Sequence, residues 1–282
     1  MRIRVADGGC IALTFVLLAA GCDVTSNEER TIGEQNAAEI NAQLPIVTDA
    51  VINSYITTLG DSIARHTSMA ELDWKFFVVN LDQVNAFSLP GGFIYVNRGL
   101  IETTDRLDEL AGVLGHEIGH VIQRHAVKQM QKSQKIGVVA TIACTLTSLC
   151  ESGVGRAAVN IGGSAVIARY SRKDELEADS EAVENVLRAG FDPEGVPALF
   201  EKLIRQREVN PSIVEGWFAT HPLEESRVEA ARTLISDLRA DERGGLLEDT
   251  PSYHAFKQRV AALPPPPPAQ SLPPERGPER QR

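Results

Sequence analysis

The sequence predicts an α+β fold, mainly helical, with a small sheet of three to four strands. Three observations carry this reading. Pro45 to about Thr67 places Ile46, Val47, Ala50, Val51, Tyr55, Leu59 and Ile63 at helical spacing. Trp74–Val79, Val84–Leu89 and Phe93–Val96 are short β-branched and aromatic stretches, the last two separated by Pro90-Gly91-Gly92. Leu107 to about Met130 is apolar on most of its faces, the pattern of a buried helix. The chain has 282 residues and 43% apolar content. That suits one core-forming domain with tails.

At the N-terminus, Arg2 and Arg4 precede a ten-residue apolar run, Ile11–Ala20, broken only by Thr14. This describes a secretory signal over residues 1–21; the run is too short to cross about 30 Å of hydrocarbon as a helix. Ala19-Ala20-Gly21-Cys22 resembles a bacterial lipobox. The resemblance implies cleavage before Cys22, its lipidation, and attachment to a bacterial membrane facing the periplasm. An Asp23 after the lipidated cysteine favours the inner membrane; the outer membrane is the alternative. Residues 22–44 are polar and read as a tether and lead-in helix, and 45–240 as the domain proper.

Asp105 is the expected cap of the apolar helix, and Gly99–Ile101 leads into a turn before it. Gly137–Ala168 is apolar and Gly-rich and reads as two packed helices, with a lid or membrane-facing hairpin as the alternative. Cys144 and Cys150 lie within it. Six residues of straight helix span about 9 Å, too far for a disulfide, so a Cys144–Cys150 bridge requires a turn near Thr147-Ser148. Two free thiols or an intermolecular bridge fit as well. Ser171–Arg188 reads as a charged amphipathic helix closed by Gly190. Pro193–Glu208 and Leu223–Leu238 read as two more. Residues 241–282 read as a Pro-rich tail without a core, with five consecutive prolines after Leu263. No internal repeat is visible.

The net charge of -10 argues against a nucleic-acid partner and against simple adhesion to anionic lipid. Aromatics at 5% leave little for a base-stacking platform.

The chemistry centres on His116-Glu117-Ile118-Gly119-His120. Histidines four apart on a helix share one face, where two neutral imidazoles can hold one tetrahedral zinc ion. Glu117, rotated about 100° from His116, can reach an activated water without ligating the metal itself. Two histidines and a glutamate inside an apolar helix are costly to bury unless paired or metal-bound. A catalytic site needs a third protein ligand and an open position. Glu175-Leu176-Glu177-Ala178-Asp179 supplies candidates. Glu175 and Asp179 share a face, so Glu175 as ligand leaves Asp179 to orient a ligand histidine. Glu177 points away and reads as solvated, and with it as ligand the less apt Glu181 would take the supporting place.

These blocks, with Asn85-Ala86-Phe87-Ser88-Leu89-Pro90-Gly91-Gly92-Phe93-Ile94-Tyr95-Val96 and the weaker Thr220-His221-Pro222 plus Arg227, resemble the HtpX-like and CAAX-prenyl-protease-like zinc metallopeptidases, peptidase family 48, over about residues 30–240. The resemblance implies a zincin (gluzincin-like) domain with one zinc ion held by His116, His120 and Glu175. It implies Glu117 as the catalytic glutamate and Asp179 as a supporting acid or proton donor. It implies an edge strand, Asn85–Leu89, that holds extended peptide by main-chain hydrogen bonds. It makes His221 an inhibitory fourth ligand or a stabiliser of the tetrahedral intermediate. The nearest likeness is to small, lipid-anchored periplasmic members. It implies a metalloendopeptidase acting on unfolded or misfolded envelope proteins, with periplasmic proteases or chaperones as partners. The rival readings are a chaperone or assembly factor with a self-blocked site, and a structural zinc protein with four saturating ligands.

Overall fold

Capping and turn residues divide the chain into its elements. The computed structural model describes residues 24–136, 170–222, 224–238 and 244–266. Cys22, Asp23, Cys144, Cys150 and the whole of 137–168 lie outside them.

Helix α1 (Ser26–Gln43) starts at a capping box, in which the Thr25 hydroxyl accepts from the Glu28 amide and the Glu28 carboxylate accepts from Thr25. It is not a free tether. Ala37 and Ile40 pack with Phe87, Leu89 and Tyr95 on one face of the sheet. Helix α2 (Ala50–Ala64) is capped by Asp49, whose carboxylate accepts from the Val51 and Ile52 amides. It begins after the Pro45 expected from the apolar pattern. The reason is competition from the sheet: Ile46 bridges Val79 and the Val47 amide donates to the Val78 carbonyl.

The sheet has three strands, β1 (Lys75–Val79), β2 (Ala86–Leu89) and β3 (Phe93–Asn97), in the order β1-β3-β2. β1 runs parallel to β3 and β2 antiparallel to it, with Phe87 opposite Tyr95. Gly91 and Gly92, at φ 81° and 89°, make the β2–β3 turn, which a Cβ would strain. β2 is the edge expected for it, and among the described residues no strand pairs its outer side.

Helix α3 (Arg98–Thr103) occupies the stretch read as a turn. Helix α4 (Leu107–Ile122) is capped at Arg106 without a side-chain bond. Asp105 is not the cap: its amide donates to Glu109 Oε2 at 2.6 Å and its carboxylate accepts from Lys202. The expected single helix to Met130 is two. Arg124 sits at φ 54° and restarts the chain as α5 (His125–Ile136). That conformation costs a non-glycine residue about 1–2 kcal/mol. It is held by Arg124 Nε on Glu29 Oε2 (2.7 Å) and Arg124 Nη2 on the Val24 carbonyl (2.6 Å).

Helix α6 (Arg172–Arg188) opens at a Ser171–Asp174 capping box and closes before Gly190 at φ 86°. Helices α7 (Gly195–Val209), α8 (Pro211–Thr220) and α9 (Glu225–Ser236) follow. The core lies where α4, buried from Leu107 to Val121, packs against α6, α7 and α2. The region read as a tail from 241 carries helix α10 (Pro251–Ala261). Tyr253, Phe256 and Val260 are buried in the main core, and the Tyr253 hydroxyl meets Thr104 Oγ1 at 2.6 Å. Their spacing of three and four is a helical stripe, outweighed in the sequence reading by the prolines beyond it. Among the described residues no helix is long and apolar enough to cross a membrane.

Candidate metal centre

The pairing of α4 with α6 builds the site. Gly115 and Gly119 face α6 where a Cβ would meet Ala182 Cα at 3.2 Å and Ala178 O at 2.9 Å respectively. Only hydrogen at these positions lets the two backbones approach so closely. The approach sets His116, Glu117 and His120 of α4 beside Glu175 and Asp179 of α6. His221, at the end of α8, completes the group.

Four donors converge. His116 Nε2 lies 3.0 Å from His120 Nε2 and 3.6 Å from Glu175 Oε2. His120 Nε2 lies 3.5 Å from Glu175 Oε1. His221 Nδ1 lies 3.3 Å from His116 Nε2 and 3.2 Å from Glu175 Oε1. One ligating atom from each of the four residues falls within 4.8 Å of the others. All four are buried, at 0–1% exposure. This donor set suits a divalent metal ion. His116 Nδ1 is 2.9 Å from Asp179 Oδ1, so that carboxylate favours a proton on Nδ1. Its Nε2 is then a bare lone pair, pointed at another imidazole nitrogen and a carboxylate. Lone pairs gathered away from water repel unless a cation lies among them.

Glu117 is fully buried, and neither of its carboxylate oxygens accepts a hydrogen bond. The nearest basic group is His221 Nε2, 3.4 Å from Glu117 Oε1. Burial alone would lower the His221 pKa; the Glu175 and Glu117 carboxylates outweigh it and hold His221 above its ordinary value. His120 is pushed well down by burial, and the imidazoles of His116 and His221 push the same way.

The chain's relatives agree with this geometry. The model of peptidase family M48 matches residues 51–235, more than half of the chain. The chain belongs to peptidase family M48. Similar M48 proteins include the beta-barrel assembly-enhancing protease of Yersinia pestis, 31% identical over 227 residues. The protein of that name from Escherichia coli (strain K12) is 30% identical over 230 residues. Both alignments cover 78% of this chain and 46% of the relative, so the chain spans about half the length of these relatives. The metalloprotease LoiP of Escherichia coli (strain K12) is 27% identical over 232 residues, covering 78% of this chain and 88% of LoiP. M48 enzymes are metallopeptidases, and the matched span holds all four donors.

Behind the M48 donors stands Arg227 of α9, only 3% exposed. Its Nε and Nη2 grip Asp179 Oδ2 and Oδ1 at 2.7 and 2.6 Å, and Nη1 reaches Glu175 Oε2 at 2.6 Å. Burial pushes the Asp179 carboxyl up, but Arg227 prevails and holds it below its usual range. Asp179 is thus an anionic acceptor behind His116, on the far side of that ring from the other donors. A carboxylate in this position can orient the His116 ring.

The structure brings together His116, Glu117, His120, Glu175, Asp179 and His221. Glu177 departs from expectation: it is half-buried, and its Oε2 lies 3.1 Å from His125 Nε2. Glu181 accepts from Gln123 instead (2.8 Å). Sequence reasoning missed His125, Tyr170 and the work of Arg227. Tyr170 stacks on His120 with ring centroids 3.9 Å apart. Ser88 of β2 lines a narrow crevice with Leu89, Pro90, His120, Val121 and Arg124, so the edge strand runs beside the donors.

Proposed function

We propose that this chain is a zinc-dependent endopeptidase that cleaves unfolded or misassembled proteins of the bacterial envelope. The observation that carries the reading is the buried convergence of His116, His120, Glu175 and His221, with an unbonded Glu117 carboxylate beside it. Two imidazoles and a carboxylate from two helices are the ligand set of a catalytic zinc site.

His116, His120 and Glu175 would hold the ion. A zinc ion bound there supplies Lewis acidity, lowering the pKa of water and polarising a carbonyl. Glu117 takes a proton from the attacking water and returns it to the leaving amine. Its lack of hydrogen-bond partners keeps both oxygens available. Asp179 holds the proton of His116 on Nδ1, and Arg227 fixes Asp179 and Glu175 together. His221 Nδ1, 3.3 Å from His116 Nε2 and 3.2 Å from Glu175 Oε1, would add a fourth donor and would have to swing away for substrate to enter. The outer side of β2, Asn85–Leu89, holds an extended peptide through main-chain bonds that ignore its sequence.

The envelope assignment rests on the lipobox-like Ala19–Cys22 and on relatives whose names place them in β-barrel assembly. Lipidated Cys22 would anchor the domain to the periplasmic face, Asp23 favouring the inner membrane, with periplasmic proteases or chaperones as neighbours. The test incubates the purified protein with casein, with and without a chelator, beside Glu117→Gln. Chelator-sensitive cleavage that zinc restores and Glu117→Gln lacks supports the reading. Cleavage indifferent to both, or one zinc per chain with no cleavage under any condition, overturns it.

A further inference from the structure

His120 carries a second connection that leads away from the donors to the surface. Its Nδ1 lies 2.9 Å from His125 Nδ1, and His125 Nε2 lies 3.1 Å from Glu177 Oε2. We propose that Glu177 acts through His125 to fix the tautomer of His120, a positioning role toward His120 that mirrors the role of Asp179 toward His116. This rests on the reading of His120 as a metal ligand.

The argument is one of counting protons. Two ring nitrogens 2.9 Å apart share one hydrogen. If it belongs to His120, then His120 Nε2 is a lone pair among the donors, and His125 Nδ1 accepts. His125 then carries its own proton on Nε2, where the Glu177 carboxylate accepts it. In the reverse arrangement His125 donates, and His120 carries its proton on Nε2, only 3.0 Å from His116 Nε2. His125 Nε2 would then turn a lone pair on Glu177. A carboxylate tolerates only the first arrangement, so Glu177 selects the ligating form of His120 at two removes.

The fold supports this chain at each link. The left-handed Arg124 ends α4 and turns His125 back onto His120, and Glu29 and Val24 hold Arg124 there. Tyr170 stacks on His120 and sets its plane. His125 is 2% exposed, so water does not replace its partners. Around Glu177, Lys173 Nζ lies 3.2 Å from Oε1, and Asp174 Oδ1 lies 3.8 Å from His125 Nε2. The Glu177 side chain is 32% exposed, so it can be replaced without opening the core.

The test titrates zinc into the metal-free full chain against a competing chromophoric chelator, and melts each metal-free variant. Glu177→Ala should lose about 10–100-fold in zinc affinity while its metal-free melting temperature matches wild type. Glu177→Gln, whose amide oxygen still accepts, should recover most of that loss, and Lys173→Ala should bind as wild type. Equal affinity in wild type and Glu177→Ala, or a Gln variant no better than Ala, overturns the proposal. Two zinc ions per wild-type chain, the second lost in Glu177→Ala, would overturn it in favour of a separate metal site at His125, Asp174 and Glu177. A wild-type chain that binds no zinc would instead remove the metal reading beneath it.

Discussion

Arg227 and Asp179 form a two-pronged pair, Nε to Oδ2 at 2.7 Å and Nη2 to Oδ1 at 2.6 Å, sealed from water between α6 and α9. Buried ion pairs add little net stability, yet removing one partner strands the other charge. Arg227 also reaches Glu175. Arg227→Met should therefore destabilise the protein by about 3–5 kcal/mol, measured by urea unfolding. A change below 1 kcal/mol would mean that the carboxylates are satisfied elsewhere.

Glu117 is the proposed general base and lies outside the group of four donors. Glu117→Gln should retain wild-type zinc content and melting temperature while casein cleavage falls about 10²–10⁴-fold. Loss of zinc in this variant would make Glu117 a ligand.

His221 stands with the three proposed ligands, its Nδ1 3.2 Å from Glu175 Oε1. His221→Ala should weaken zinc binding and raise peptidase turnover, because it vacates the position that water and substrate need. Turnover lower than wild type at saturating zinc would instead assign His221 to the transition state.

Gly119 is a spacer between two helices. A Cβ there meets Ala178 O and Glu181 Cβ, both at 2.9 Å. Gly119→Ala should cost about 1–3 kcal/mol of stability, as overpacking does. It should also weaken zinc binding, since α6 carries Glu175 away from His120. Tight zinc binding in a destabilised Gly119→Ala would show that the donors tolerate helix displacement.

Asp49 ties α2 to α10. Hydrogen bonds from Arg259 above all, with those from the Ile52 and Val51 amides, hold its carboxyl down to about 2. The unfolded value is about 3.9. A depressed carboxyl adds stability above its unfolded pKa and loses it as pH falls through the folded one. The melting-temperature gap between wild type and Arg259→Ala should thus be steady from pH 7 to about 4, and close as pH falls toward 2. A gap unchanged at pH 2 would assign the effect of Arg259 to packing.

Local patterns made much of this protein legible. The motif His116–His120 identified its own helix, because four-residue spacing on an apolar helix leaves those side chains one shared face. Ser171 and Gly190 bracketed α6 through capping chemistry that acts within a few residues. Glu175 and Asp179 were assigned together because one helical turn separates them. The strands followed from composition and from the two glycines of their turn.

Competition between distant segments decided the rest. No local signal breaks the apolar run at Arg124; the break exists because Glu29 and Val24, about a hundred residues earlier, bind the guanidinium. That break alone brings His125 to His120. Helix α10 has a Thr250 cap and a helical stripe of its own, but that Tyr253, Phe256 and Val260 meet the core beside α2 and α3 is settled only by packing. Spacing along the chain determines which side chains share a face. Which faces meet is decided by burial summed over the whole molecule, and only that sum placed Arg227, His221 and Glu177 where the chemistry needs them.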